Sequence, residues 1–277
     1  MPLPRSTSAH RPPPRRAADN RLGRFVASRA LRKHLFRLSL LFLLSLLVYR
    51  APSEQAASLN GLSGGLQELA PHRPTAEQII TQLLKSNKER QSQLSSYVVP
   101  TTYRVVNSTG KVRAEAEVRL RYSPPGIKEF QVISETGSSL VRDRVFKPLM
   151  EVEAESASGR NGDRGAISPA NYSFTLVGEE RIDGSHCYLL QVEPKRVDKY
   201  LFQGKIWIDS KDYAVVRIAG QLAKSPSFWI SRVDFVRSYR RVGTHWLPSR
   251  NESITRVRIS GRNVLTIDYG AYQFLSS

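Results

Sequence analysis

The chain has 277 residues, room for one large domain or two small ones, and its 40% hydrophobic and 24% charged residues permit a sizeable core. Its net charge of +18 suggests a nucleic-acid partner, but residues 1–50 hold eleven Lys/Arg against a single acid, Asp19. The remainder carries 31 bases and 23 acids, interleaved rather than clustered, which argues against nucleic-acid binding by the folded part.

Residues 1–34 form a basic arm, rich in Pro, Arg and Ser over 1–24 and without periodicity, a composition expected to be disordered. Leu38–Tyr49 reads LSLLFLLSLLVY with no charge. As a helix, twelve residues rise about 18 Å, short of the ~30 Å hydrocarbon core of a membrane. Arg29, Arg32, Lys33 and Arg37 precede it, and Ala51, Ala56, Ala57 and Ser58 follow. Basic, then apolar, then small is the order of an export signal, with the positive flank staying cytoplasmic. Residues 35–50 are therefore expected to send the rest of the chain across a bacterial inner membrane, as a cleaved signal peptide or an uncleaved anchor. No cysteine lies just after that segment, where a lipid-modified bacterial protein would need one. Residues 51–74, rich in Ser, Gly, Ala, Gln and Pro, read as a linker.

The domain is expected over 75–277. Thr75-Ala76-Glu77-Gln78 after Pro74 fits a capping box, and Ile79, Ile80, Leu83 and Leu84 continue at helical spacing to about Leu94. Strands follow. Between Lys111 and Ser123, Val112, Ala114, Ala116, Val118, Leu120 and Tyr122 alternate with charged residues, the mark of a long half-buried strand in an antiparallel sheet. Tyr97–Val106 precedes it and Ile127–Thr136 follows. From Ser138 to about Ala154 the pattern suits a short helix kinked near Pro148. Ser156–Ser168 reads as a loop. Tyr172–Arg181 turns at Asp183-Gly184 into His186–Glu193. Tyr200–Ile208 and Tyr213–Leu222 make a further hairpin, then come Ser227–Arg240, Trp246–Ile259 and Val264–Phe274. About ten strands, nearly all hairpin-linked, make a meander that twist should curl, with Trp229, Val233, Phe235 and Tyr239 sharing one face. With two helices to cover it, an apolar cavity is expected on the concave side.

No sequence pattern for an enzyme is present. The five histidines are scattered, and no G-x-S-x-G, H-E-x-x-H or phosphate-binding glycine loop occurs. Asp209 and Asp212 fall in a tight turn, where Asp is favoured. Glu151, Glu153 and Glu155 alternate like a solvated flank. The single thiol, Cys187, reads as a small apolar strand residue and excludes an internal disulfide.

The segment Phe202-Gln203-Gly204-Lys205-Ile206-Trp207-Ile208-Asp209, then Val215-Val216-Arg217-Ile218, resembles the G-x-hydrophobic-W-I-D … V-hydrophobic-R hairpin of the outer-membrane lipoprotein-sorting (Lol-type) carrier superfamily. Val233-Asp234-Phe235, Tyr239-Arg240-Arg241-Val242-Gly243 and Trp246-Leu247-Pro248 continue it, and the resemblance covers roughly 75–277. It implies an α+β fold, a half-open β-barrel with a helical lid, and an apolar cavity that receives acyl chains. Such carriers usually show an Arg-Pro step after the second strand. Here the stretch reads Arg121-Tyr122-Ser123-Pro124, so that latch is not matched.

The function expected is periplasmic binding of lipid acyl chains or lipoproteins, in a carrier or sorting role. The alternative is a membrane-anchored envelope sensor or regulator that binds an inner-membrane partner protein with the same fold. The residues expected to line the cavity are Val118, Leu120, Tyr122, Phe130, Trp229, Val233 and Phe235. No cofactor or metal is expected.

Overall fold

The computed structural model describes residues 24–25, 73–159, 164–225, 230–258 and 261–275. The expected export segment over 35–50 and nearly all of the arm and linker lie outside them.

Twelve strands form one antiparallel sheet. The two-residue strand β1 (Arg24–Phe25) pairs with β4 (Ile127–Gly137) at one edge. Next in the sheet come β3 (Val112–Ser123) and β2 (Tyr97–Asn107), the three making an N-terminal meander. A second meander holds β5 (Tyr172–Ile182), β6 (Ser185–Pro194), β7 (Phe202–Asp209), β8 (Val215–Leu222), β9 (Ile230–Val242), β10 (His245–Val257) and β11 (Gly261–Tyr269). The two meanders join where β11 pairs with β2, Leu265 opposite Val105 and Ile267 opposite Tyr103. The short β12 (Gln273–Phe274) extends that junction along Val98 and Tyr97. β5 ends the sheet at the other edge, so it is open and not a closed barrel.

Local chemistry accounts for most elements. Helix α1 (Ala76–Ser92) starts at a complete capping box: the Gln78 amide donates to Thr75 Oγ1 (3.3 Å) and the Thr75 amide to Gln78 Oε1 (2.9 Å). In β3 the alternation survives folding, with Ala114, Ala116, Val118, Leu120 and Tyr122 buried and only the terminal Val112 exposed. The β5–β6 turn places Asp183 and Gly184 at φ 49° and 86°, both left-handed, as a two-residue turn of this hand requires. Asp209 folds the β7–β8 turn by accepting from the amides of Lys211 (3.0 Å) and Asp212 (2.7 Å), the turn role its sequence context implies.

The second helical segment, α2, differs in detail from the expected kink at Pro148. It is a continuous run of three pieces, Ser139–Val141, a π-helical turn Arg142–Phe146, and Lys147–Ala157. The irregularity comes before the proline. Pro148 has no amide to offer, and the Lys147 amide reaches back to the Arg142 carbonyl in the wider π pattern. Gly137 joins β4 to α2 at φ 78°, and a Cβ there would collide with the Arg113 backbone.

Each helix covers one half of the sheet's inner face. Phe146, Leu149, Met150 and Val152 of α2 pack on β2, β3, β4 and β11. Ile79, Ile80 and Leu83 of α1 pack on β5–β9 with Phe202, Ile206, Ile218 and Phe235. Among the described residues no helix is long and apolar enough to cross a membrane.

Candidate functional site

Between the two cores, the strands carry polar residues on their inner face. On β9, Arg237 stands in phase with the buried Val233, Phe235 and Tyr239 and is itself only 3% exposed. Its cross-strand neighbour on β10 is Asn251, also buried, and Ser253 and Thr255 follow it on the same face. From β4, Lys128 points inward opposite Tyr122. The last turns of α2 bring Glu153 over it, and the two pair at 2.7 Å.

These groups surround a cavity of about 110 Å³. Arg237, Tyr239, Asn251 and Tyr269 form its floor, and Tyr97, Tyr122 and Lys128 one side. Asn87, Arg90 and Gln91 of α1, Glu153 and Ser156 of α2, and His245 and Trp246 also line it. Tyr97 and Tyr122 stack at 5.0 Å between ring centroids. The volume is below the ~300 Å³ at which drug-sized ligand pockets begin, and matches about three or four waters. A second void of about 40 Å³ lies between α2 and β4, lined by Phe130, Val132, Met150 and Ala154 with Lys128, Lys147 and Glu151.

The expected lining residues are placed as follows. Val118, Leu120, Tyr122 and Phe130 belong to the core under α2, Phe235 to the core under α1, and Val233 is buried on the same face. Tyr122 lines the larger cavity and Phe130 the smaller, while Val118 and Leu120, each 1% exposed, are packed rather than facing free space. Trp229 lies outside the described residues. Under the helices, the described residues enclose these two small voids where one wide apolar void was expected, because each helix fills half of the concave face. Glu153, expected on a solvated flank, is 2% exposed: on a helix it falls in phase with Leu149, Met150 and Ala157 rather than alternating with its neighbours.

Electrostatics follow from burial. Burial pulls the Lys128 ammonium down, but the Glu153 carboxylate outweighs that and holds it above its ordinary value. Desolvation pushes the Tyr239 and Tyr269 hydroxyls up, and their oxygens accept from Arg237 and from Asn251 Nδ2 respectively. His245 is held below its usual value by burial first and by Arg90 second. Arg90 ties α1 to the β7–β8 turn, donating to the carbonyls of Asp212 (2.6 Å) and Tyr213 (3.0 Å) and to Asn87 Oδ1 (2.7 Å). Trp246 Nε1 donates to the Asp212 carboxylate (2.8 Å) in the same corner. On the outer face, burial pushes the Cys187 thiol up to about 11, the state of an inert apolar residue. Among the described residues no three His, Cys, Asp or Glu are placed to hold a metal ion.

Residues 139–225 match the family model of the MucB/RseB N-terminal domain. Similar solved structures include a LolA superfamily protein from Nitrosomonas europaea, 11% identical over 74% of this chain and 96% of that one, with a TM-score of 0.41. An outer membrane lipoprotein-sorting protein domain from Vibrio parahaemolyticus is 12% identical over 70% of this chain and 92% of its own, TM-score 0.35. The MucA/MucB complex of Pseudomonas aeruginosa is 10% identical over 73% and 99%, TM-score 0.25. No curated protein sequence matches the chain.

Proposed function

We propose that this protein is a periplasmic binding protein that takes an acyl chain, free or carried by a lipoprotein, onto the sheet surface covered by α2. The observation that carries the reading is the one-sided cover: an open sheet whose N-terminal half is shielded by one short, irregular helix. Exchange of that helix for a ligand is close to balanced. Burying four side chains the size of Phe146, Leu149, Met150 and Val152 contributes about 1.5–3 kcal/mol each. An acyl chain of about fourteen carbons supplies ~11 kcal/mol at ~0.8 kcal/mol per CH2. The glycine joint at 137 and the chain after Ala157 are where the helix would swing.

The test is labelling of the full-length chain with a photoactivatable palmitate. Adducts are expected on residues 112–157, and unlabelled palmitate should compete them away. Labelling confined to residues 35–50, or indifferent to competitor, would overturn the reading.

A second reading has the match over 139–225 behind it: a MucB-type regulator that binds a partner protein in the periplasm. An uncleaved membrane anchor suits a regulator, whereas a shuttle must leave the membrane. Sequencing the N-terminus of the mature protein separates them.

A further inference from the structure

The cavity between the two cores holds a cation that the fold does not neutralise. Among the described residues Arg237 has no carboxylate partner; it shares a hydrogen bond with the Tyr239 hydroxyl, but its Nε and Nη2 are buried without an acceptor. A guanidinium keeps its charge at any ordinary pH, and leaving such a group unpaired in a protein interior costs several kcal/mol. The other full charges on this wall are already engaged. Lys128 is paired with Glu153, and Arg90 is spent on the backbone of the β7–β8 turn. The phenyl ring of Phe235, 6.0 Å from the Arg237 carbon, offers only a weak compensation.

Two acceptors on residues lining the same cavity are also unmatched. Asn251 Oδ1 and Glu153 Oε2 are buried and unpartnered, although Asn251 Nδ2 donates to the Tyr269 hydroxyl (3.3 Å) and Glu153 Oε1 binds Lys128. Arg237 and Asn251 are direct cross-strand neighbours, yet they do not satisfy each other. The missing partner must therefore carry negative oxygens for the guanidinium and a hydrogen to donate to Asn251 or Glu153. A carboxylate or a sulfate offers only the first. Hydrogen phosphate, free or as a monoester, offers both, and a cavity of about 110 Å³ admits a group of that size.

We infer that the cavity between the two cores is a binding site for a protonated phosphate group, with Arg237 as its anchor and Asn251 as its proton acceptor. The cavity shares Glu153 and Ser156 with α2, but its anchor and its acceptor, Arg237 and Asn251, lie on β9 and β10, outside the surface proposed for the acyl chain.

Titration of the full-length chain in a phosphate-free nonionic detergent tests this, read by phosphorus NMR line broadening and by the thermal midpoint. Inorganic phosphate should show a broadened phosphorus line and raise the midpoint, and sulfate, read by the midpoint alone, should need at least tenfold higher concentration for the same rise. Mixed micelles containing phosphatidic acid, set against phosphatidylcholine, decide whether the group comes free or on a lipid. If only phosphatidic acid acts, the phosphate is a headgroup. Arg237→Gln should abolish the effect. Asn251→Asp, nearly the same shape but adding a like charge, should weaken it at least tenfold and guards against misfolding of the first variant. No response to either phosphate source, or equal responses to phosphate and sulfate, would overturn the assignment and leave water as the occupant.

Discussion

The two halves of the sheet are covered by helices of different character. The apolar face of α1 is fully buried: Ile79, Ile80 and Leu83 are each at most 1% exposed, the start is capped, and the far end is tied down by Arg90. Under α2 the packing includes a π-helical turn, a buried ion pair and a void beside Phe130. The difference separates a fixed plug from a cover that can be exchanged. Covered area alone does not distinguish them; the attachments at each end and the polar groups beneath do.

The largest expected effect on this contrast is at Glu153. Glu153→Ala leaves Lys128 unpaired in the interior and should cost about 3–5 kcal/mol, measured by urea denaturation. Pairing it with Lys128→Met should recover most of that loss, which a merely steric role for Glu153 would not allow. Leu83→Ala and Leu149→Ala each remove a fully buried leucine and should cost about 2–5 kcal/mol. They should differ in kind. The Leu83 variant lowers the global midpoint, whereas the Leu149 variant mainly raises proteolysis and amide exchange within 139–157. Equal global losses would erase the proposed contrast.

Arg90→Met should release the end of α1 from the β7–β8 turn at a cost of about 1–3 kcal/mol, since two backbone carbonyls lose a charged donor. The smallest effect is pH-dependent. Because the folded state holds His245 below its usual value, the unfolded chain binds the proton more readily. Its contribution is fully present above the unfolded value of 6.5 and is lost as pH falls through the lower, folded one. His245→Gln should flatten the stability curve in that acidic window, as followed by thermal denaturation from pH 7.5 to pH 5.

Much of the fold was readable from the residues. The capping box at Thr75, the alternation from Ala114 to Tyr122 and the Asp183-Gly184 turn each carry their own local physics, and each holds in the structure. The polar cavity was partly readable and passed over. Arg237 stands between Phe235 and Tyr239 at period two, and Lys128 in step with Phe130 and Val132, so alternation alone puts both on the inner face. Period two names the face of a strand, not what covers it. Glu153 becomes a partner for Lys128 only once α2 folds back over β4, and Arg237 meets Asn251 only through the β9–β10 register. The filling of the concave face had the same origin: helix count does not say how large a shadow each helix casts.

The most direct measurement is hydrogen exchange of the full-length chain with and without palmitate. The account predicts that palmitate accelerates amide exchange across 139–157 while residues 76–92 stay protected. Unchanged protection of α2 at saturating palmitate, or equal opening of both helices, would contradict it.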